Sequence, residues 1–204
     1  MTRRLVDLAI GVVAIALLWP LLLLIAALVR IDSPGSPFYG GWRIGNNGRR
    51  FRMWKFRTMV QDADRLGPTI TAKDDARVTC LGRYLRRSKL DELPQLFNLL
   101  TGDVTLLGPR PEVPDIVARY TPEQRRVLEL KPGITGPGQI YYTKYQQDSV
   151  PEGADASDYY VSRLLASKLR IDLEYAQKRT ALSDLRVILQ TAGVVVKGLL
   201  RPSA

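Results

Sequence analysis

Asp91 and Glu92 stand side by side in a stretch crowded with cations. Arg83, Arg86, Arg87 and Lys89 precede them, and Arg110 follows between Pro109 and Pro111. A carboxylate in such company can attack phosphorus. To do so it must be deprotonated and relieved of its repulsion from the phosphate oxygens. Guanidinium forks, a helix N-terminus or a divalent cation each supply that relief. The same pair has a plainer use: Asp91 caps a helix and Glu92 fills its first turn, where the dipole favours negative charge. Spacing alone leaves both uses open.

The elements that position the pair can be read on either side. Leu90, Leu93, Leu96, Phe97 and Leu100 recur at helical spacing. Pro94 is tolerated only in a first turn, so the helix is expected to begin at Ser88 or Asp91. A turn at Thr101-Gly102-Asp103 and an apolar run over Val104–Leu107 then deliver Gly108-Pro109-Arg110-Pro111. Upstream, Gly45-Asn46-Asn47-Gly48 predicts a hairpin between two short strands. The second strand carries Lys55 and Arg57 on one face. Val60–Lys73 reads as a polar loop or short helix, and Asp74–Ser88 as a basic helix.

Downstream, Thr121-Pro122-Glu123-Gln124 predicts a helix start running to about Leu130. Lys131–Gln139, rich in Gly and Pro, predicts a defined loop rather than a helix or central strand. Asp148–Asp158 reads as an exposed acidic insertion, and Tyr159–Lys178 as an amphipathic helix. Ser183 is the expected cap of a last helix that carries Asp184 in its first turn.

Leu8–Val29 is 22 residues without a charge, about 33 Å as a helix and enough to cross a bilayer core. Pro20 lies near its middle. Arg3 and Arg4 precede the segment, and Arg30, Arg43, Arg49, Arg50 and Arg52 follow. Basic residues at both ends give no orientation for a span. A kinked transmembrane helix and a helical hairpin that enters and leaves one leaflet both fit.

The 204 residues carry net charge +10, which suits an anionic membrane face, nucleic acid or phosphate-rich substrates. The aromatics are not interleaved with the basic residues as on an RNA-stacking surface. There is no histidine, and Cys80 is the single cysteine. His-based triads, His or Cys zinc sites and an internal disulfide are therefore excluded.

The stretch LDELPQLFNLLTGDVTLLGPRPEVP closely resembles the signature of the bacterial sugar transferases, the monotopic phosphoglycosyl transferases, and the likeness extends over nearly the whole chain. The resemblance implies an α+β, mostly helical fold. Residues 1–31 would form a re-entrant membrane hairpin broken at Pro20, with Trp19 where the family usually has Ser. Residues 32–204 would form a cytosol-facing catalytic domain with a small β-hairpin and interfacial amphipathic helices, one of them bearing Lys197 and Arg201.

The activity implied is transfer of a sugar-1-phosphate from a UDP-sugar to a polyprenyl (undecaprenyl) phosphate. This would be the first membrane step of glycan assembly, such as exopolysaccharide biosynthesis, at the cytoplasmic face of a bacterial inner membrane. The resemblance further implies Asp91 as nucleophile, through an aspartyl-phosphosugar, and Mg²⁺ held by Glu92 and Asp184. Phosphate or substrate contacts would come from Arg86, Arg110, Lys55 and Arg57. PGITG at residues 132–136 matches a family segment usually followed by Ala-Gln, where this chain has Pro137-Gly138-Gln139. Expected partners are the donor, the lipid acceptor and membrane lipid, with no nucleic acid and with room for a homodimer. The alternative is a membrane-anchored, non-enzymatic binder of anionic lipid or nucleic acid. It leaves unexplained why carboxylates, which weaken polyanion binding, sit among the arginines.

Overall fold

The computed structural model describes residues 2–63, 66–67, 75–145 and 155–200. The fold is mostly helical, with one long apolar N-terminal helix, a β-hairpin and a short parallel strand pair. The chain divides into two compact units. The first comprises residues 1–41, 52–102 and 195–204, and the second 42–51 and 103–194.

In the first unit, α1 (Thr2–Asp32) is a single helical element with Pro20 inside it. Pro20 removes one backbone donor without ending the helix. Among the described residues α1 is the one helix long and apolar enough to cross a membrane. Much of its surface is exposed and apolar, including Leu5, Val12, Val13, Leu17, Leu23 and Leu28. Its other side packs inward. Leu22, Ile25 and Val29 form a core with Phe56 and Leu85, each such burial contributing about 1.5–3 kcal/mol.

β1 (Phe38–Ile44) and β2 (Arg50–Phe56) form the predicted hairpin. A tight turn joins them, with Asn47 and Gly48 at positive φ. α2 (Cys80–Ser88) is capped by the Thr79 hydroxyl, which accepts from the Gly82 amide. The basic helix expected from Asp74 is therefore shorter: Arg77 lies in the turn before it, and Asp74 is outside the described residues. Gly82 sits where a Cβ would fall 2.1 Å from the Thr58 carbonyl oxygen, so only glycine allows α2 to approach that strand exit.

The helix expected to begin at Ser88 or Asp91 starts later. Ser88 closes α2, Lys89 turns left-handed (φ 60°), and Leu90–Glu92 form a 3₁₀ turn. α3 (Gln95–Thr101) follows with Pro94 at its cap position. Gly102 (φ 84°) ends α3, as the Thr101-Gly102-Asp103 turn predicts. Arg4, from the start of α1, donates to the Leu99 and Leu100 carbonyls, both at 2.6 Å. A cation on free carbonyls at a helix C-terminus is favourable.

In the second unit, β3 (Thr105–Leu107) leads through the GPRP segment to α4 (Pro114–Ala118). The Thr121/Gln124 capping box forms in both directions, at 2.9 and 3.2 Å. The helix it starts is a 3₁₀ turn over Gln124–Glu129. The loop expected over Lys131–Gln139 is instead structured. β4 (Gly133–Thr135) pairs parallel with β3, and α5 (Pro137–Tyr145) begins at once. The glycines there mark close backbone approach: a Cβ on Gly133 would lie 2.1 Å from the Gly108 nitrogen.

α6 (Ala156–Tyr159), a π-turn over Tyr160–Leu164 and α7 (Leu165–Gln177) make up the predicted amphipathic helix. Most of the acidic insertion before it lies outside the described residues. α8 (Ala181–Leu200) is the last helix. Thr180, not Ser183, holds its cap position, and the two hydroxyls exchange bonds with each other's amides. Leu107, Ile140 and Val187 form the core beneath β3.

Candidate functional site

In the first unit the Asp91-Glu92 pair rests on the reversal at Lys89. A left-handed non-glycine residue is uncommon, and here it lets α2 stop and the 3₁₀ turn begin without a loop. β2 delivers Lys55 to the pair: its Nζ lies 3.1 Å from Glu92 Oε1 and 3.9 Å from Asp91 Oδ2. Two ties from α3 hold β2 in that register. Asn98 accepts from the Trp54 amide at 2.9 Å and donates to the Arg52 carbonyl at 2.7 Å.

Asp91 is only 6% exposed, and its Oδ1 is buried with no hydrogen-bond partner. Burial pushes its pKa above the ordinary carboxylate value. Lys55 opposes that shift, the Glu92 charge adds to it, and Lys89 and Arg86 oppose it more weakly. Gln95, one helical turn further on, is fully buried with neither amide atom partnered. An unmatched polar atom costs about 1–3 kcal/mol, and such atoms in a native fold call for an explanation such as a reactive role.

Arg86 belongs to the same cluster. Its Nε donates to Thr58 Oγ1 at 2.7 Å, and Asp91 and Asp75 oppose the lowering that burial imposes on its pKa. Arg57 is engaged elsewhere. Its guanidinium donates to the Ser33 and Pro34 carbonyls at 2.6 and 2.7 Å, just past the end of α1. Lys55 and Arg57, expected on one face, thus have different tasks: β2 ends at Phe56, and Arg57 lies beyond its alternation.

The second unit holds the other predicted residues. With the Gln139 amide assigned so that its oxygen faces Arg110, as its neighbours require, Arg110 Nη1 donates to that oxygen at 2.9 Å and the amide nitrogen donates to the Ile134 carbonyl at 3.2 Å. Asp184 is bound by Arg179 through both carboxylate oxygens, at 2.8 and 3.0 Å, and accepts from the Tyr175 hydroxyl. Among the described residues no three acidic or thiol side chains converge on one point.

A cluster that sequence reasoning missed lies directly after GPRP. Glu112 accepts from both Lys168 Nζ and the Tyr160 hydroxyl, and Lys168 also donates to that hydroxyl at 2.8 Å. Burial pushes the Glu112 pKa up, but Lys168, the Tyr160 hydrogen bond and Arg110 outweigh it, and the net shift is downward. Asp172, one turn beyond Lys168, accepts from the Gly138 amide at 2.9 Å, and its Oδ2 has no partner. Burial raises its pKa to about 6. The available signal was a lysine and an aspartate on the buried row of an otherwise apolar helix face, at positions 168 and 172.

The model of a family described as bacterial sugar transferase matches residues 1–198. The exopolysaccharide production protein ExoY of Sinorhizobium fredii (strain NBRC 101917 / NGR234) is 34% identical, over 95% of this chain and 85% of that protein. The UDP-glucose:undecaprenyl-phosphate glucose-1-phosphate transferase of Xanthomonas campestris pv. campestris is 36% identical, over 93% of this chain and 38% of its own length. The Escherichia coli (strain K12) protein of the same description is 31% identical, over 99% and 41%.

Proposed function

Since the chain belongs to the bacterial sugar transferase family and is a transferase enzyme, we propose that it moves a sugar-1-phosphate from a UDP-sugar to undecaprenyl phosphate or a similar polyprenyl phosphate. The observation that carries this reading is Asp91: a buried carboxylate with one oxygen unpartnered and a lysine 3.9 Å from the other. A raised pKa makes its carboxylate more basic and a better nucleophile, and such perturbed groups gather at functional sites.

In the first step Asp91 attacks the β-phosphorus of the donor. An Asp–O–P bond forms, the bond to the UMP oxygen breaks, and UMP leaves with that electron pair. In the second step an oxygen of the lipid phosphate attacks the same phosphorus. The bond to Asp91 breaks, the carboxylate returns, and the product is a polyprenyl-diphosphate sugar. Both nucleophiles are already anions, so no histidine base is required. Lys55 offsets charge at the carboxylate pair. Arg86 in the first unit and Arg110 in the second are each assigned phosphate binding, for which a planar guanidinium is suited.

Mg²⁺ fits this chain in a limited way. It commonly takes one or two carboxylates and completes its shell with water and substrate phosphate, and Glu92 is a carboxylate of that kind. Asp184 is paired with Arg179 and Glu92 with Lys55, so each of these carboxylates would exchange a cation partner to hold the ion. The ion would neutralise the diphosphate.

The length and apolar surface of α1 support a membrane role. A re-entrant arrangement, with both basic ends on the cytoplasmic face of the inner membrane, would hold the site at the depth of the lipid phosphate head. A pathway for exopolysaccharide is the context we favour, given the likeness to ExoY.

The test is UMP release from a panel of UDP-sugars with purified protein, Mg²⁺ and undecaprenyl phosphate. Release that depends on both the lipid and one UDP-sugar supports the reading. No release with any of them contradicts it.

A further inference from the structure

The backbone on either side of Arg110 is tied at several points within the second unit. Gly108 N donates to the Thr135 carbonyl, and Gly133 N to the Pro109 carbonyl, both at 2.9 Å. The Ile44 amide donates to the Glu112 carbonyl at 2.9 Å. Pro109 and Pro111 lock φ on each side of Arg110. The Glu112 side chain then anchors the far end of the segment to Lys168 and Tyr160.

Three features distinguish this anchor from ordinary packing. Lys168 is 3% exposed, and its ammonium is surrounded by Glu112, the Tyr160 hydroxyl and the faces of the Tyr142 and Tyr160 rings. A buried ion pair is a poor way to gain stability, since apolar side chains of similar volume often do as well or better. The Tyr160 contact also depends on a π-turn over Tyr160–Leu164. Its wider winding keeps Tyr160 on the same side as Lys168, and such turns are rare and frequent at functional sites. Finally, Arg110 lies close enough to Glu112 and Tyr160 to act on both electrostatically, and the Gln139 oxygen, in the amide orientation its neighbours require, accepts from its Nη1.

We propose that Lys168, Glu112 and Tyr160 form a buried positioning unit that, with Gln139, fixes the Arg110 guanidinium in the pose that binds the diphosphate of the nucleotide-sugar donor. This rests on the function proposed above. Ordering a long side chain before its ligand arrives removes that cost from binding. None of the three residues contacts substrate; each acts through Arg110.

The test uses the full chain in lipid nanodiscs, with UDP, the part common to UDP-sugars, titrated by calorimetry alongside steady-state kinetics. The variants are Glu112→Gln, Tyr160→Phe and Arg110→Ala, together with the double variants Glu112→Gln/Arg110→Ala and Tyr160→Phe/Arg110→Ala. Glu112→Gln is expected to weaken UDP binding about tenfold and Tyr160→Phe about threefold, the range for loss of a charged or a neutral hydrogen bond. The KM for donor should rise while the KM for undecaprenyl phosphate holds.

The deciding result is coupling: in the Arg110→Ala background neither substitution should weaken binding further. Additive losses, or unchanged UDP affinity in the single variants, overturn the inference. Should Glu112→Gln fail to fold, Tyr160→Phe, which keeps the ion pair, carries the same cycle. Wild-type protein that neither binds UDP nor releases UMP overturns the function reading itself. Wild-type protein that does both, but shows no coupling, overturns only the positioning role.

Discussion

Among the described residues two lysines pair with buried carboxylates, and the two clusters are built to opposite ends. At Glu112 one carboxylate oxygen takes two donors, Lys168 and Tyr160, and the pKa is driven down. At Asp91 the lysine stands at 3.9 Å, one carboxylate oxygen has no partner, and the pKa is driven up. The first arrangement spends its electrostatics on holding a segment in place. The second leaves one carboxylate oxygen without a hydrogen bond, at a cost in stability, which suits the nucleophile role proposed for it. Substitution should therefore separate the clusters: changes at Asp91 should appear in turnover with the fold intact, and changes at Lys168 in folding and, through Arg110, in donor binding.

The largest expected effect is on turnover. Asp91→Asn should lower UMP release by more than about 10³-fold, the scale for loss of a nucleophile, with a melting temperature equal to or above that of wild type. Next comes Lys168→Met, which strands Glu112 as a buried unpaired charge. It should cost about 3–5 kcal/mol in denaturant melts. If Lys168→Met melted like wild type while Asp91→Asn unfolded, the contrast drawn here would be reversed.

Asp172 is the exception within the second cluster, since its Oδ2 has no partner. Its folded pKa of about 6 lies above the unfolded value of about 3.9. The folded state therefore holds the proton more tightly. The stability this provides is fully present below about pH 4 and is lost as the pH rises through about 6. Asp172→Asn should remove that slope, melting above wild type at pH 7 by about 2–3 kcal/mol and matching it near pH 4. The smallest effect expected is at Lys55. Lys55→Met removes the main influence lowering the Asp91 pKa. The acid limb of the pH–rate profile should move to higher pH, and the rate at neutral pH should fall about tenfold, the equivalent of about 1.4 kcal/mol.

Local features were legible in the sequence. The Gly45–Gly48 turn, the Gly102 stop and the Thr121/Gln124 capping box all form where residue chemistry places them, because each is decided by neighbours in the chain. The acidic pair and its lysine were legible as candidates too. What resisted reading was set at a distance. The PGITG segment became a strand because Gly133 meets Gly108 across a parallel pair, which the glycines signal only once the partner is known. Glu112 and Lys168 are 56 residues apart, and no spacing rule joins them. Arg57 lies just past the end of β2, and its bonds to the Ser33 and Pro34 carbonyls join chain more than twenty residues apart, which no local pattern signals. Burial of Asp91, which turns a plausible helix cap into a perturbed carboxylate, depends on packing that no local pattern encodes.

The most direct test of the central claim is intact-protein mass after incubation with UDP-sugar and Mg²⁺ in the absence of lipid acceptor. The account predicts a gain equal to one phosphosugar, mapped by peptide sequencing to Asp91, abolished in Asp91→Asn and discharged when undecaprenyl phosphate is added. Full turnover with no such adduct, or an adduct on another residue, would contradict it.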